Sequence, residues 1–218
     1  MYNILKDNRL LLTGYLVLLI AGLIPVLMYS KTDVHLFINQ FHSAFLDVFY
    51  KYITHLGSGV TTVIIGIILL SFSIRYSFIL LASGAVSGIV VQFFKHIVFP
   101  NMDRPVRFFE TIAELNLVQG IELYKDFTFP SGHAANAFVI FTMLAMISKR
   151  NWVKLCLMFC SWIIAFSRVY LSQHFLEDIL FGSILGILAV IIFYWYFHRF
   201  KMTWADHPIQ FYLRSERQ

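Results

Sequence analysis

Long apolar runs closed by charged residues set the rhythm of this chain. Leu10–Ser30 carries no charge at all, Leu56–Ile74 stops at Arg75, and Tyr76–Phe94 stops at Lys95. Gly132–Ser148 is shorter and ends on Lys149 and Arg150. Trp152–Ser172 qualifies if Lys154 snorkels to the surface, and Ile179–Phe197 is flanked by Asp178 and Arg199. A bilayer crossing takes roughly 17–25 mainly apolar residues. The pattern therefore predicts six transmembrane helices, read as one domain over residues 1–218 with no repeat, low-complexity tract or internal boundary. The first run has Lys6 and Arg9 before it but is long for a signal-peptide core, so it is read as retained.

Between the first two runs the period changes. Val34, Phe37, Ile38, Phe41, Phe45, Val48, Phe49 and Tyr52 recur at helical spacing opposite Asn39, His42, Asp47 and Lys51. That is the signature of an interfacial amphipathic helix. His35 and His42 share a face of it and are expected to meet lipid headgroups. The stretch from Pro100 to Pro130 carries Phe108, Phe109, Ile112, Leu115 and Leu117, and reads as either a lid or a plain surface loop. The tail from His198 is basic and contains Trp204, which suits cytoplasmic anchoring.

Composition agrees with lipid as the solvent. Of 218 residues 59% are hydrophobic and 13% charged, against about 25% charged in soluble domains, and the mean hydropathy is +0.72. The two cysteines exclude a disulfide scaffold, and their four-residue spacing in an apolar run reads as packing. A net charge of +5 without a basic run interleaved with aromatics argues for membrane topology and an anionic substrate, with no nucleic-acid partner. With the N-terminus inside, ten of the 17 Lys and Arg fall on the inner side: Lys6, Arg9, Arg75, Lys149, Arg150, Lys154, Arg199, Lys201, Arg214 and Arg217. Both termini are thus expected in the cytoplasm.

Six crossings then place the chemistry by parity. Lys95 ends the third span on the outer side, Arg104 follows in the outer loop, and His133 opens the fourth span there. Arg168 ends the fifth span on that side, and His174 and Asp178 open the sixth. Each alone reads blandly, as an interfacial anchor, a capped histidine or a chance pair at helical spacing. Together on one face they outline a cationic pocket with two imidazoles. Ser131 is a plausible helix cap, so the backbone N–H groups and dipole behind Gly132 point at a bound anion. His174 and Asp178, four apart, share a helix face, where the carboxylate can hold the imidazole tautomer. Lys95, Arg104 and Arg168 supply three cations, a number suited to a phosphoryl group.

These residues resemble the type 2 phosphatidic acid phosphatases, in the superfamily that includes the vanadium haloperoxidases. That family carries K-x6-R-P, P-S-G-H and S-R-x5-H-x3-D. Pro130-Ser131-Gly132-His133 matches the second motif, and Ser167-Arg168, His174 and Asp178 match the third. The first motif departs, with eight residues between Lys95 and Arg104-Pro105, and the two extra positions near Pro100 and Asn101 read as a bulge. The resemblance implies a six-helix membrane lipid phosphatase that needs no metal or other cofactor. It implies His174 as nucleophile, Asp178 as its support and His133 as acid and then base. Lys95, Arg104, Arg168, Ser131 and the Gly132 amide would hold the phosphoryl oxygens. The substrate would be a lipid phosphomonoester or pyrophosphate, of the undecaprenyl pyrophosphate, phosphatidylglycerol phosphate, phosphatidic acid or lipid A type, met at the outer face of a cell membrane such as the bacterial inner membrane. A lipid phosphotransferase would use the same residues. A transporter would spread its charges through the membrane depth, whereas these gather at one edge.

Overall fold

A computed structural model describes residues 2–200 and 203–211. Lys201, Arg214 and Arg217, counted above for orientation, lie outside them. Helices α1 (Tyr2–Asp7), α2 (Arg9–Met28), α3 (Lys31–Asn39), α4 (Ala44–Ile53) and α5 (Gly59–Leu70) form the first half. The second holds α6 (Ile74–Phe93), α7 (Pro105–Phe108), α8 (Gly132–Ile147), α9 (Asn151–Tyr170) and α10 (Leu176–His198). Serine hydroxyls start five of them. Ser30, Ser43, Ser58, Ser73 and Ser131 each accept a first-turn N–H, satisfying a donor that the helix cannot pair internally.

Among the described residues four helices are long and apolar enough to cross a membrane: α2, α6 with its extension to Val98, α9 and α10. By length and composition they make the chain an integral membrane protein. The second expected span differs from the sequence reading. It is not one straight helix over Leu56–Ile74, because Ala44–Gly57 and Gly59–Leu70 meet at a 58° bend. Ser58 turns extended to cap α5, and a Cβ on Gly57 would sit 2.8 Å from the His133 carbonyl oxygen, so the chain breaks where it touches α8. At 1.5 Å per residue α5 is about 18 Å long and α8 about 24 Å, both short of a ~30 Å hydrocarbon core.

The single interfacial helix is also corrected. It is two helices, α3 and α4, because Ser43 caps a new helix after a break at Gln40–His42. Phe37, Phe45, Val48 and Tyr52 on them, and Phe41 between them, still face outward. His35, however, does not meet headgroups. It is buried, stacks on Phe109, and places Nε2 3.2 Å from Ser172 Oγ. Lys154 does not snorkel either: its ammonium is buried and donates to the Asp7 carbonyl and Asn8 Oδ1, tying α1 to α9.

The core is built around α8, whose Ala134, Phe138, Val139, Ile140 and Met143 are wholly buried beside α9 and α10. Two glycines let α10 lie against it. A Cβ at Gly186 would stand 2.3 Å from the Ala135 carbonyl oxygen, and one at Gly182 2.5 Å from that of Ser131. The contact continues to the helix starts, where the Ser131 N–H donates to the Asp178 carbonyl at 3.0 Å. The C-terminal end of α6 and α9 and the N-terminal end of α8 and α10 therefore meet at one end of the bundle.

Candidate active site

The turn between α9 and α10 delivers two functional side chains. Ser172 adopts a left-handed backbone, φ 52°, which folds the chain back so that the N–H groups of Gln173 and His174 both donate to the Arg168 carbonyl. A β-carbon makes that conformation costly, and Ser172 is held in it by contacts from its hydroxyl to His35 and Asn39. Asp178, in the first turn of α10, accepts from the Phe175 N–H at 2.9 Å and so caps the helix from inside.

His174 lies 3.2 Å from Asp178 Oδ2 through Nδ1, with the Thr128 hydroxyl bonded to the same carboxylate oxygen. Because Asp178 accepts at Nδ1, the tautomer puts the ring proton there and leaves the lone pair on Nε2. The ring's hydrogen bonds run through Nδ1, which leaves Nε2 as the nitrogen facing the site. Burial pushes the His174 imidazole well below its usual value, and Arg104, Lys95 and Arg168 push it further the same way. The ring is held neutral, as a nucleophile needs.

The three predicted cations surround this ring. Arg168, 7% exposed, donates to Thr54 Oγ1 at 3.0 Å and to Gln173 Oε1 at 3.4 Å, and its buried Nε has no partner. Arg104 donates to the carbonyls of Asp126 at 2.8 Å and Gln173 at 3.1 Å, with its guanidinium over the Tyr124 ring. Lys95, 8% exposed, donates to the Phe127 carbonyl at 2.7 Å. It is close enough to Arg104, Arg168 and Asp178 to interact with each. The lengthened first motif is absorbed locally. Phe94–Val98 forms a π-helical turn, which takes an extra residue per turn, and the chain turns again at Pro100–Asn101.

At the start of α8, Ser131 is fully buried and accepts the Ala134 N–H at 3.3 Å. Gly132 leaves the approach open, since a Cβ there would meet only Val91 Cγ1 at 3.6 Å. His133 is half-buried and near enough to Arg168, Arg104 and Lys95 to feel their charge. The structure thus brings all eight sequence candidates to one end of the bundle.

The stretch from Pro100 to Pro130, left open between lid and loop, is folded onto that end. Phe109 and Thr128 are buried, and the Arg104 N–H and Thr128 N–H pair with the carbonyls of Lys125 and Met102. Sequence reading missed three side chains: Thr54 and Gln173, which meet the arginines, and Thr128, which meets Asp178. Gln173 was within reach, being with Ser172 a polar residue in the five-residue third-motif spacer. Thr54 and Thr128 carry no local signal. Among the described residues no group of three or more His, Cys, Asp or Glu is gathered as for a metal ion.

Comparison with known proteins places this geometry in a family. The lipid A 4'-phosphatase of Bacteroides thetaiotaomicron is 27% identical over 99 residues, which are 45% of this chain and 44% of that protein. The chain thus matches less than half the length of that curated relative. The crystal structure of Aquifex aeolicus LpxE superposes with a TM-score of 0.66 at 28% identity, covering 75% of this chain and 93% of the other. The crystal structure of the first transmembrane PAP2 type phosphatidylglycerolphosphate phosphatase from Bacillus subtilis gives 0.64 at 21% identity, covering 91% and 98%. The latter likeness speaks to the fold alone. The PAP2 superfamily model matches residues 76–202, a stretch that holds every one of the eight converging residues. With more than half of its length matched and its site assembled inside the match, the chain belongs to the PAP2 superfamily.

Proposed function

We propose that this protein is a membrane lipid phosphatase that hydrolyses a lipid phosphomonoester or pyrophosphate through a phosphohistidine at His174. One observation carries the reading: a neutral, buried imidazole backed by Asp178 presents Nε2 amid three buried cations. Phosphoryl transfer calls for a positioned nucleophile and charge stabilisation more than for covalent machinery. The Nε2 lone pair bonds to phosphorus as the P–O bond to the lipid breaks. His133 gives its proton to the departing oxygen. Water then attacks phosphorus, His133 takes the water proton, the P–N bond breaks, and phosphate leaves. Asp178 supports the charge on the imidazole during the first step. Arg168, with its unpartnered Nε, joins Arg104, Lys95, Ser131 and the Gly132 amide around the phosphoryl oxygens.

The short helices α5 and α8 pair with the four long ones as six spans of one domain, with both termini cytoplasmic and the site at the outer leaflet. The positive-inside count supports this orientation. The name of the Bacteroides relative, a lipid A 4'-phosphatase, supports a lipid A type phosphate as the first of the four candidates. A phosphate-release panel of purified protein over lipid A phosphate, undecaprenyl pyrophosphate, phosphatidylglycerol phosphate and phosphatidic acid, without an added acceptor and in the presence of a chelator, tests the proposal. Release from at least one lipid is expected, and silence on all four without an acceptor contradicts hydrolysis. Activity that chelator abolishes and a divalent cation restores would contradict the metal-free chemistry.

A further inference from the structure

We propose that Gln173 is a positioning residue that spaces the two phosphate-binding guanidiniums and keeps their charge available; the proposal rests on the phosphatase reading above. Gln173 is completely buried, between Arg104 and Arg168. Its Oε1 accepts from Arg104 Nη1 and from Arg168 Nη2, each at 3.4 Å, and its backbone carbonyl takes a second bond from Arg104 at 3.1 Å. The amide cannot be reversed. Its Nε2 donates to the Glu122 carbonyl at 3.1 Å, an atom that only accepts, and the opposite orientation would turn NH2 protons toward two cations.

The choice of an amide has a physical reason. Two guanidiniums brought together in a buried site repel each other, and Lys95 adds a third charge. A carboxylate between them would quench the repulsion but also the field that a phosphoryl group needs. An apolar side chain would leave buried N–H groups unpaired, at a cost comparable to a lost hydrogen bond each. The amide oxygen offers each arginine a partial negative charge and carries no net charge. Gln173 sits next to His174, so the same turn that aims the nucleophile aims the spacer. The carbonyls of Glu122, Asp126 and Phe127 fix the opposite side, bonding to Gln173, Arg104 and Lys95 respectively.

The test compares wild type with Gln173→Glu and Gln173→Met in detergent, reading KM and kcat on a lipid phosphate, the inhibition constant of vanadate, and the thermal unfolding midpoint. Glu has nearly the shape of Gln, so a residue that merely fills space predicts little change. The positioning role predicts that Gln173→Glu raises KM and the vanadate constant together by roughly 10-fold or more, since charge-assisted bonds are worth that much. Gln173→Met keeps the volume but not the acceptor, and should lower kcat/KM by roughly 10-fold as the arginines lose register. Where Gln173→Glu yields no folded protein, Gln173→Met decides alone. Unchanged vanadate inhibition and KM in folded variants of an active wild type would overturn the role of Gln173 and leave the phosphatase reading intact. A wild type that neither hydrolyses a lipid phosphate nor responds to vanadate would overturn both.

Discussion

The proposed mechanism gives His174 and His133 different work, and leaving-group chemistry separates them. A lipid alkoxide is a strong base and needs a proton as it departs, a service a general acid supplies at typically 10²–10⁴-fold. Nitrophenolate is a much weaker base and needs little. His133→Ala should therefore slow first-turnover lipid hydrolysis by about that factor and first-turnover nitrophenol release from nitrophenyl phosphate far less. Equal slowing of both would assign His133 to phosphate binding or to the helix start instead. Asp178→Asn, which keeps the attacking nitrogen but loses the charge behind it, should be slow yet measurable, by roughly 10²–10⁴-fold in single-turnover rate. A third residue acts on stability. Burial, helped by His42, lowers the His35 imidazole to about 4 from the ordinary 6.5. The unfolded chain takes up that proton near pH 6.5 and the folded chain only near 4. The stabilisation is therefore complete above pH 6.5 and is lost as pH falls from there toward about 4, amounting to about 3 kcal/mol if nothing relaxes. Thermal unfolding in detergent should show a drop in midpoint between pH 7 and pH 4.5 that is smaller in His35→Asn. An equal drop in both would place the acid sensitivity elsewhere.

The decisive contact between elements is the one between α8 and α10, since it sets the α8 start against Asp178. Gly186→Ala should gain up to about 1 kcal/mol of helix propensity. It also drives a β-carbon to 2.3 Å from the Ala135 carbonyl oxygen, a backbone atom that cannot rotate away. Overpacking of this kind costs typically 1–3 kcal/mol, so the clash should win and the unfolding midpoint should fall. A rise in midpoint would show that the two helices can part freely. At this scale the sequence was partly legible. The ends of the long helices were, because a charged residue stops most apolar runs, and Ser131 could be read as the cap of α8. The bend at Ser58 was not, because it arises from Gly57 approaching the His133 carbonyl, a residue far away in sequence. The split of α3 from α4 was missed because the apolar period runs on across Phe41, while the Ser43 cap makes the break.

The whole molecule reads as an antiparallel bundle that concentrates its polar chemistry at one end. Parity alone could gather Lys95, Arg104, His133, Arg168, His174 and Asp178 there, because charges at the ends of apolar runs alternate between faces. It could not find Thr54, which comes from the end of α4, or Thr128 and the carbonyls of Glu122, Asp126 and Phe127, which reach the site when the long loop folds down. Sidedness is directly measurable. With Cys156 and Cys160 replaced by serine, a membrane-impermeant thiol reagent should label Glu114→Cys in intact cells and spare Asn151→Cys. Both positions are exposed, and the reverse pattern would put the site on the cytoplasmic leaflet. The central claim, a phosphoryl group carried on His174, is tested most directly by trapping it. Purified protein is mixed with a lipid labelled in its phosphate, quenched within the first turnover under alkaline denaturing conditions that preserve phosphohistidine, and mapped by peptide. The account predicts label on the peptide bearing His174, absent from His174→Ala, and accumulating in His133→Ala given nitrophenyl phosphate because the hydrolytic step is slowed. Label on another residue, or wild-type turnover in His174→Ala, would contradict it.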